Sequence, residues 1–182
     1  TDIGRVMPTA GVEYRYPLIN VQAWGTQTIE PIAQLIVRPN ETYVGAFPNE
    51  DAQSLIFDDS NLFKVNKFSG WDRVEGGGRA NVGVQYTAQF NRGGNVNLLF
   101  GQSYQLYGLN SFALGGTTNT GLNSGLDTAQ SDYVARASYQ PNSALAFTNS
   151  FSACLRSLSG RALLEYRSFA SSWERVAYCK SE

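Results

Sequence analysis

The stretch RANVGVQYTAQFNRGGNVNLLFGQSYQL, from Arg79 to Leu106, decides the fold. From Ala80 to Phe90 every even position is apolar or aromatic: Ala80, Val82, Val84, Tyr86, Ala88 and Phe90. Between them stand Arg79, Asn81, Gly83, Gln85, Thr87 and Gln89. Successive side chains of a strand point to opposite faces, so this pattern puts one face in an apolar medium and the other in a polar one. Asn91-Arg92-Gly93-Gly94 then offers the positive-φ residues of a short hairpin. The return arm keeps the even phase through Val96, Leu98, Phe100, Tyr104 and Leu106, interrupted by Gln102. Each arm is 11 or 12 residues long. Soluble strands most often run about 5–6 residues, whereas a tilted strand crossing a bilayer needs about 9–11. The sequence therefore predicts a transmembrane β-hairpin.

Working outward, Met7 to Tyr16 reads as a first strand, with Val12, Tyr14 and Tyr16 in phase, ended by Pro17. Pro17 to Gly25 reads as a modest connection, with Trp24 suited to a membrane interface. A second strand is expected over Thr26–Val37. Ile29, Pro31, Ala33, Leu35 and Val37 share one face, and Thr28, Glu30, Ile32, Gln34 and Ile36 the other. Pro31 counts against that strand or marks a bulge. Arg38 to Gly78 is a long connection holding seven of the fifteen acids, with Asp59 or Ser60 as the cap of a short helical turn over Asn61–Val65. Tyr107 to Gln130 is a second long connection. Asp132–Gln140 resumes alternation, Pro141-Asn142-Ser143 reads as a turn, and Leu145, Phe147 and Phe151 begin a sixth strand.

Connections one, three and five are thus short, while two and four are long. Outer-membrane barrels have that parity, with short periplasmic turns and long external loops. The expected fold class is all-β: an antiparallel up-and-down transmembrane β-barrel fragment of about six strands, with an irregular or helical C-terminal tail. Residues 1–151 form the partial barrel. Residues 152–182 form a divergent tail that loses period two, gains seven Ser, and has the character of a non-native reading frame. Leu155, Leu158, Ala162 and Tyr166 would suit a helix face there, interrupted by Gly160; an ordinary terminal helix or a divergent strand pair is the alternative to a non-native end.

Composition narrows the function. No apolar run approaches the roughly 18–20 residues of a membrane helix, so a spanning chain of this kind must use strands. The chain starts at Thr1 with no signal-peptide core, which predicts a piece of a longer protein. A net charge of −1 supplies no basic field for nucleic acid. The absence of His removes the commonest general base and excludes a Ser-His-Asp triad around Ser159-Gly160-Arg161. Gly76-Gly77-Gly78 lacks the Lys-Ser/Thr of a phosphate loop. Asp58-Asp59 with Asp51 and Asp72 reads as capping and solvated loop charge rather than a metal site. Phe68, Trp71 and Arg73 read as a loop-packing cluster. Tyr14, Tyr16, Tyr86, Phe90, Phe100 and Tyr104 read as lipid-facing or girdle residues. Cys154 and Cys179 could pair in an oxidising compartment, which spacing leaves open. No catalytic, cofactor-binding or metal-binding residue is expected, and no enzyme activity.

From Gln27 to Gln105 the chain resembles the C-terminal barrel region of the LptD family of lipopolysaccharide-assembly proteins. The matching segments, in order, are Gln27-Thr28-Ile29-Glu30-Pro31, Pro48-Asn49-Glu50-Asp51-Ala52-Gln53-Ser54, Phe57-Asp58-Asp59 and Asn61-Leu62-Phe63. Asn66-Lys67-Phe68-Ser69-Gly70-Trp71-Asp72-Arg73 and Phe100-Gly101-Gln102-Ser103-Tyr104 follow. The tail does not match, and it lacks the terminal aromatic expected of an outer-membrane barrel. The resemblance implies a very large barrel in the outer membrane of a Gram-negative bacterium, with no cofactor. It implies lipopolysaccharide as cargo, an LptE-like plug lipoprotein, and periplasmic Lpt bridge components as partners. The function implied is part of the translocon that assembles lipopolysaccharide into the outer leaflet. The alternatives are a passive porin-like channel, an outer-membrane phospholipase, which the missing His disfavours, and a soluble β-sandwich, which arm length and loop parity disfavour.

Overall fold

A computed structural model describes residues 4–41, 48–53, 55–114, 120–142, 145–158 and 161–168. Among them eight strands form one antiparallel sheet: β1 Ala10–Arg15, β2 Leu18–Gln22, β3 Gly25–Val37, β4 Gly78–Phe90, β5 Asn95–Tyr107, β6 Tyr133–Asn142, β7 Leu145–Leu158 and β8 Arg161–Ser168. The order follows the chain from β1 to β8, and β2 pairs with β3 beside β1. No pairing joins β8 back to β1 among the described residues, so the sheet is open.

The central hairpin forms in the expected phase, with Val84 opposite Phe100 and Tyr86 opposite Leu98. Gly93 and Gly94 both take positive φ in its turn, as the sequence requires. Two prolines account for the one irregularity on the other side of β3. β1 pairs with β3 up to Arg15–Ile32, and β2 resumes at Leu18–Ile29, so Tyr16-Pro17 faces Glu30-Pro31. The Tyr16 amide still donates to the Pro31 carbonyl at 3.2 Å. A strand residue points its N–H and C=O to the same side, so the donor that Pro31 lacks falls in this gap. Its ladder with β4 continues through Val84 undisturbed.

Three expectations are corrected. Pro17–Gly25 is not a loop, because Leu18–Gln22 returns to the ladder as β2 and only Ala23 and Trp24 connect to β3. Pro141 and Asn142 close β6 rather than turn, with a register shift between Tyr139 and Asn142; Ser143 lies outside the described residues. The described part of the tail is strand, not helix or irregular chain: β7 continues to Leu158 and pairs with β8, Ala153 facing Tyr166. Adjacent strands satisfy backbone groups that a helix face at Leu155 and Leu158 would have had to satisfy alone. The split first strand and β8 also raise the strand number above the expected six.

Both long connections leave the same edge of the sheet and fold back over one face, here called inner. Their apolar side chains make the core: Ala52, Phe57, Leu62 and Phe68 from the first, Phe112 and Leu126 from the second, closed by Val134 of β6. The Phe68 and Phe112 rings pack at a tilt of 32° with centroids 4.6 Å apart. The loops also bond to each other, Phe57 N to Ser124 O and Thr120 Oγ1 to Ala52 O. The opposite, outer face carries Val12, Tyr14, Ile29, Leu35, Val82, Val84, Leu98 and Phe100, all exposed.

Candidate functional site

The inner face is polar by sequence and buried by structure. The register places Glu13 of β1 beside Gln34 of β3, Gln34 beside Asn81 of β4, and Asn81 beside Ser103 of β5. Period two aims all four to one side, and four strands therefore lay them in a single row. Asn81 Oδ1 accepts from Ser103 Oγ at 2.6 Å and from Lys67 Nζ of the first loop at 3.2 Å. Asn81 Nδ2 donates to Gln34 Oε1 at 2.6 Å, and Gln34 Nε2 donates to Glu13 Oε2 at 2.7 Å and to the Phe63 carbonyl at 2.9 Å. Such a network is tolerable in a buried setting because its members are satisfied.

Beside this row three buried cations surround one buried carboxylate. Arg79 Nε lies 3.0 Å from Glu75 Oε2, an ion pair whose alignment falls short of a hydrogen bond. The rest of the Arg79 guanidinium is held by Ser103 Oγ and Gln105 Oε1, and it lies 4.9 Å from the centre of the Phe112 ring. Arg38 donates to Thr9 Oγ1 and to the carbonyls of Val65 and Glu75. The second Glu75 oxygen accepts from the Lys67 backbone amide. Burial pushes the Lys67 ammonium down to about 8, with Glu75 opposing and Arg79 and Arg38 reinforcing the shift.

Two glycines shape the seat. Gly83 and Gly101 face each other across β4 and β5, one row from Asn81. A Cβ on Gly101 would lie 2.5 Å from Leu62 Cδ2, and one on Gly83 would lie 3.0 Å from Phe63 Cζ. The pair is a shallow slot into which the turn at Asn61-Leu62-Phe63 presses. That turn is capped by Asp58 rather than by Asp59 or Ser60. The Asp58 carboxylate accepts from the Ser60 amide at 2.8 Å, and its carbonyl accepts from the amides of Asn61 and Leu62. Asp59 instead pairs with Arg136 of β6 at 2.9 Å.

The other acids are structural as well. Asp51 accepts from the amides of Trp71 and Asp72, while Asp72 accepts from those of Glu50 and Asp51. This reciprocal clamp closes the segment between them. The Trp71 amide above all holds the Asp51 carboxyl below its ordinary value. Gly70, at φ +76°, is required where the chain passes Asp51. Among the described residues no group of three or more His, Cys, Asp or Glu side chains could hold a metal ion. The Phe68–Trp71–Arg73 cluster is corrected in one member: Arg73 lies over Phe68 at 5.8 Å, but Trp71 is 87% exposed and packs on neither. Ser159, Gly160 and Cys179 lie outside the described residues.

The segments Asn61-Leu62-Phe63, Asn66 to Arg73 and Gly101-Gln102-Ser103 are therefore parts of one lock. A comparison with protein-family models finds the LptD family, LPS transport system D, over residues 1–152. The chain belongs to the LptD family. A comparison with curated proteins finds no match. The LptD family is an outer-membrane protein family whose role is the transport and assembly of lipopolysaccharide, with lipopolysaccharide as substrate and Lpt pathway proteins as partners. Sequence reasoning placed Gln34 and Asn81 on the polar face but missed Lys67, Glu75 and Arg38 as their partners. The available signal was the polar phase of each strand, odd on β4 and β5 and even on β3; the pairing of strands across residues 38–77 was not visible in it.

Proposed function

We propose that this LptD-family chain is part of the family's C-terminal barrel, embedded in the outer membrane as a wall of the lipopolysaccharide translocon. The observation that carries this is the inverted sheet: an exposed apolar outer face on strands whose polar inner face is covered by loops. β3, β4 and β5 are each 13 residues long. At about 3.3 Å per residue and a tilt of about 40–45°, such a strand rises about 30 Å, the thickness of a bilayer's hydrocarbon core. Trp24 packs at a tilt against Phe90, centroids 5.7 Å apart, at one end of the strands, and Tyr107 lies exposed at the other, where interfacial aromatics belong.

The wall conducts cargo without chemistry of its own, beside an LptE-like plug and the periplasmic Lpt bridge. A passive porin-like channel fits less well, because a polar face sealed by two interlocked loops leaves no wet wall at that end. In the full-length protein in intact cells, cysteines at Trp71 and Arg92 test the topology. An impermeant thiol reagent should label the first and spare the second until the outer membrane is breached. Equal labelling would overturn the membrane reading.

A further inference from the structure

The row across the inner face has one direction. The Lys67 ammonium donates to the Asn81 amide oxygen, the Asn81 amide nitrogen to the Gln34 oxygen, and the Gln34 nitrogen to the Glu13 carboxylate. Both amide dipoles thus run from a cation to an anion, and each amide is fixed by its neighbours. Lys67 belongs to the first loop, whereas Glu13 lies on β1, two strands away from β4. We propose that the Lys67–Asn81–Gln34–Glu13 chain is a latch that couples the seating of the loop at residues 38–77 to the pairing of β1 with β3.

The physical case rests on what each end loses when the other leaves. If β1 separates from β3, Gln34 Nε2 loses its carboxylate and is held only by the Phe63 carbonyl, so the acceptor it presents to Asn81 is less firmly fixed. Lys67 then keeps a buried ammonium against an oxygen that Ser103 still holds but Gln34 orients less firmly, facing Glu75 and Arg38 from its own loop and Arg79 from β4. Those groups bring two further positive charges and one negative, so Asn81 is the neutral acceptor on which the ammonium depends. Gln34 also donates to the Phe63 carbonyl, so the same loosening reaches the turn in the Gly83–Gly101 slot.

The test uses the full-length protein in outer membranes with other accessible cysteines replaced. Ala52, a residue of the loop itself that is buried in the core the seated loop makes, becomes the reporter as Ala52→Cys. Glu13→Gln changes a residue of β1, where it also weakens the ion pair with Arg15, yet should raise reporter labelling in the distant loop about tenfold, the scale of a lost hydrogen bond to a charged group. Lys67→Met should raise it similarly, and the double variant should add little to either. A Glu13→Gln protein that labels at the parent rate, or additive effects, would overturn the latch. Hydrogen exchange of the unsubstituted protein gives a second measurement that needs no variant. Corrected for intrinsic rates, protection of both Leu62–Phe68 and Ala10–Arg15 should rise together between pH 8 and 10, as the ammonium is lost. A rise confined to the loop would overturn it.

Discussion

Asn81 and Val82 are neighbours on β4, and the polar one is fully buried while the apolar one is 40% exposed. The same inversion holds on β3 between Gln34 and Leu35, and on β5 between Ser103 and Phe100. In a soluble domain each of these pairs would be reversed, since burying apolar area is the main favourable term in folding. Here the loops bring an apolar core of their own to the polar face, and hydrogen bonds satisfy the amides beneath it. The outer face has no such cover. On the membrane reading proposed above, the two faces differ because they meet two different media, and the residues suit the medium rather than burial.

The comparison can be broken most forcefully from the covered side. Phe57 is fully buried between the loops, so Phe57→Ala should cost about 3–5 kcal/mol. The check is the unfolding midpoint of the full-length protein in detergent, and a near-silent change would mean the loops do not form a true core. On the uncovered side, Val84→Arg should cost about 2–4 kcal/mol near the bilayer midplane, while its neighbour Gln85→Arg is tolerated. Refolding into lipid that ranks these two the other way would reverse the assignment of faces.

Lys67 sharpens the contrast through pH. Its folded value of about 8 lies below the ordinary 10.5, so between these values the unfolded chain binds more protons. Stability should therefore rise as pH increases from 8 to 10.5, by on the order of 2 kcal/mol, and the burial cost is present in full below pH 8. Lys67→Met should flatten that slope in pH-dependent denaturation. The smallest effect belongs to the exposed clamp. Asp51 titrates below its ordinary value, so its contribution is present above about pH 4 and is lost as pH falls through the folded value. Asp51→Asn should remove that acid limb from proteolysis of the loop by bringing the neutral-pH rate close to the parent's rate at low pH.

Several features were legible without coordinates. Alternation from Ala80 to Phe90 assigned strand and face together, because period two admits no other regular element. Asn91–Gly94 marked the hairpin, because only residues at ease with positive φ close so short a turn. The segments resembling the LptD family were readable too, but not the reason they recur together. Leu62 and Gly101 meet as knob and slot only after the chain between them has folded back. The tail misled because Leu155, Leu158 and Ala162 match a helical spacing by chance, while β7 and β8 offered each other a ladder, with Leu155 opposite Leu164 and Leu158 opposite Arg161.

What the sequence by itself determined was therefore one-dimensional: which residues are strand, which face each takes, and where the chain must turn. Those follow from backbone sterics and local hydropathy, which neighbours along the chain suffice to define. Only the tertiary structure decided that Glu13, Gln34, Asn81 and Ser103 share one row, and that Lys67 ends it. A row is fixed by inter-strand register, and register across residues 38–77 depends on how the intervening loop packs, a contact between distant residues that no local pattern encodes.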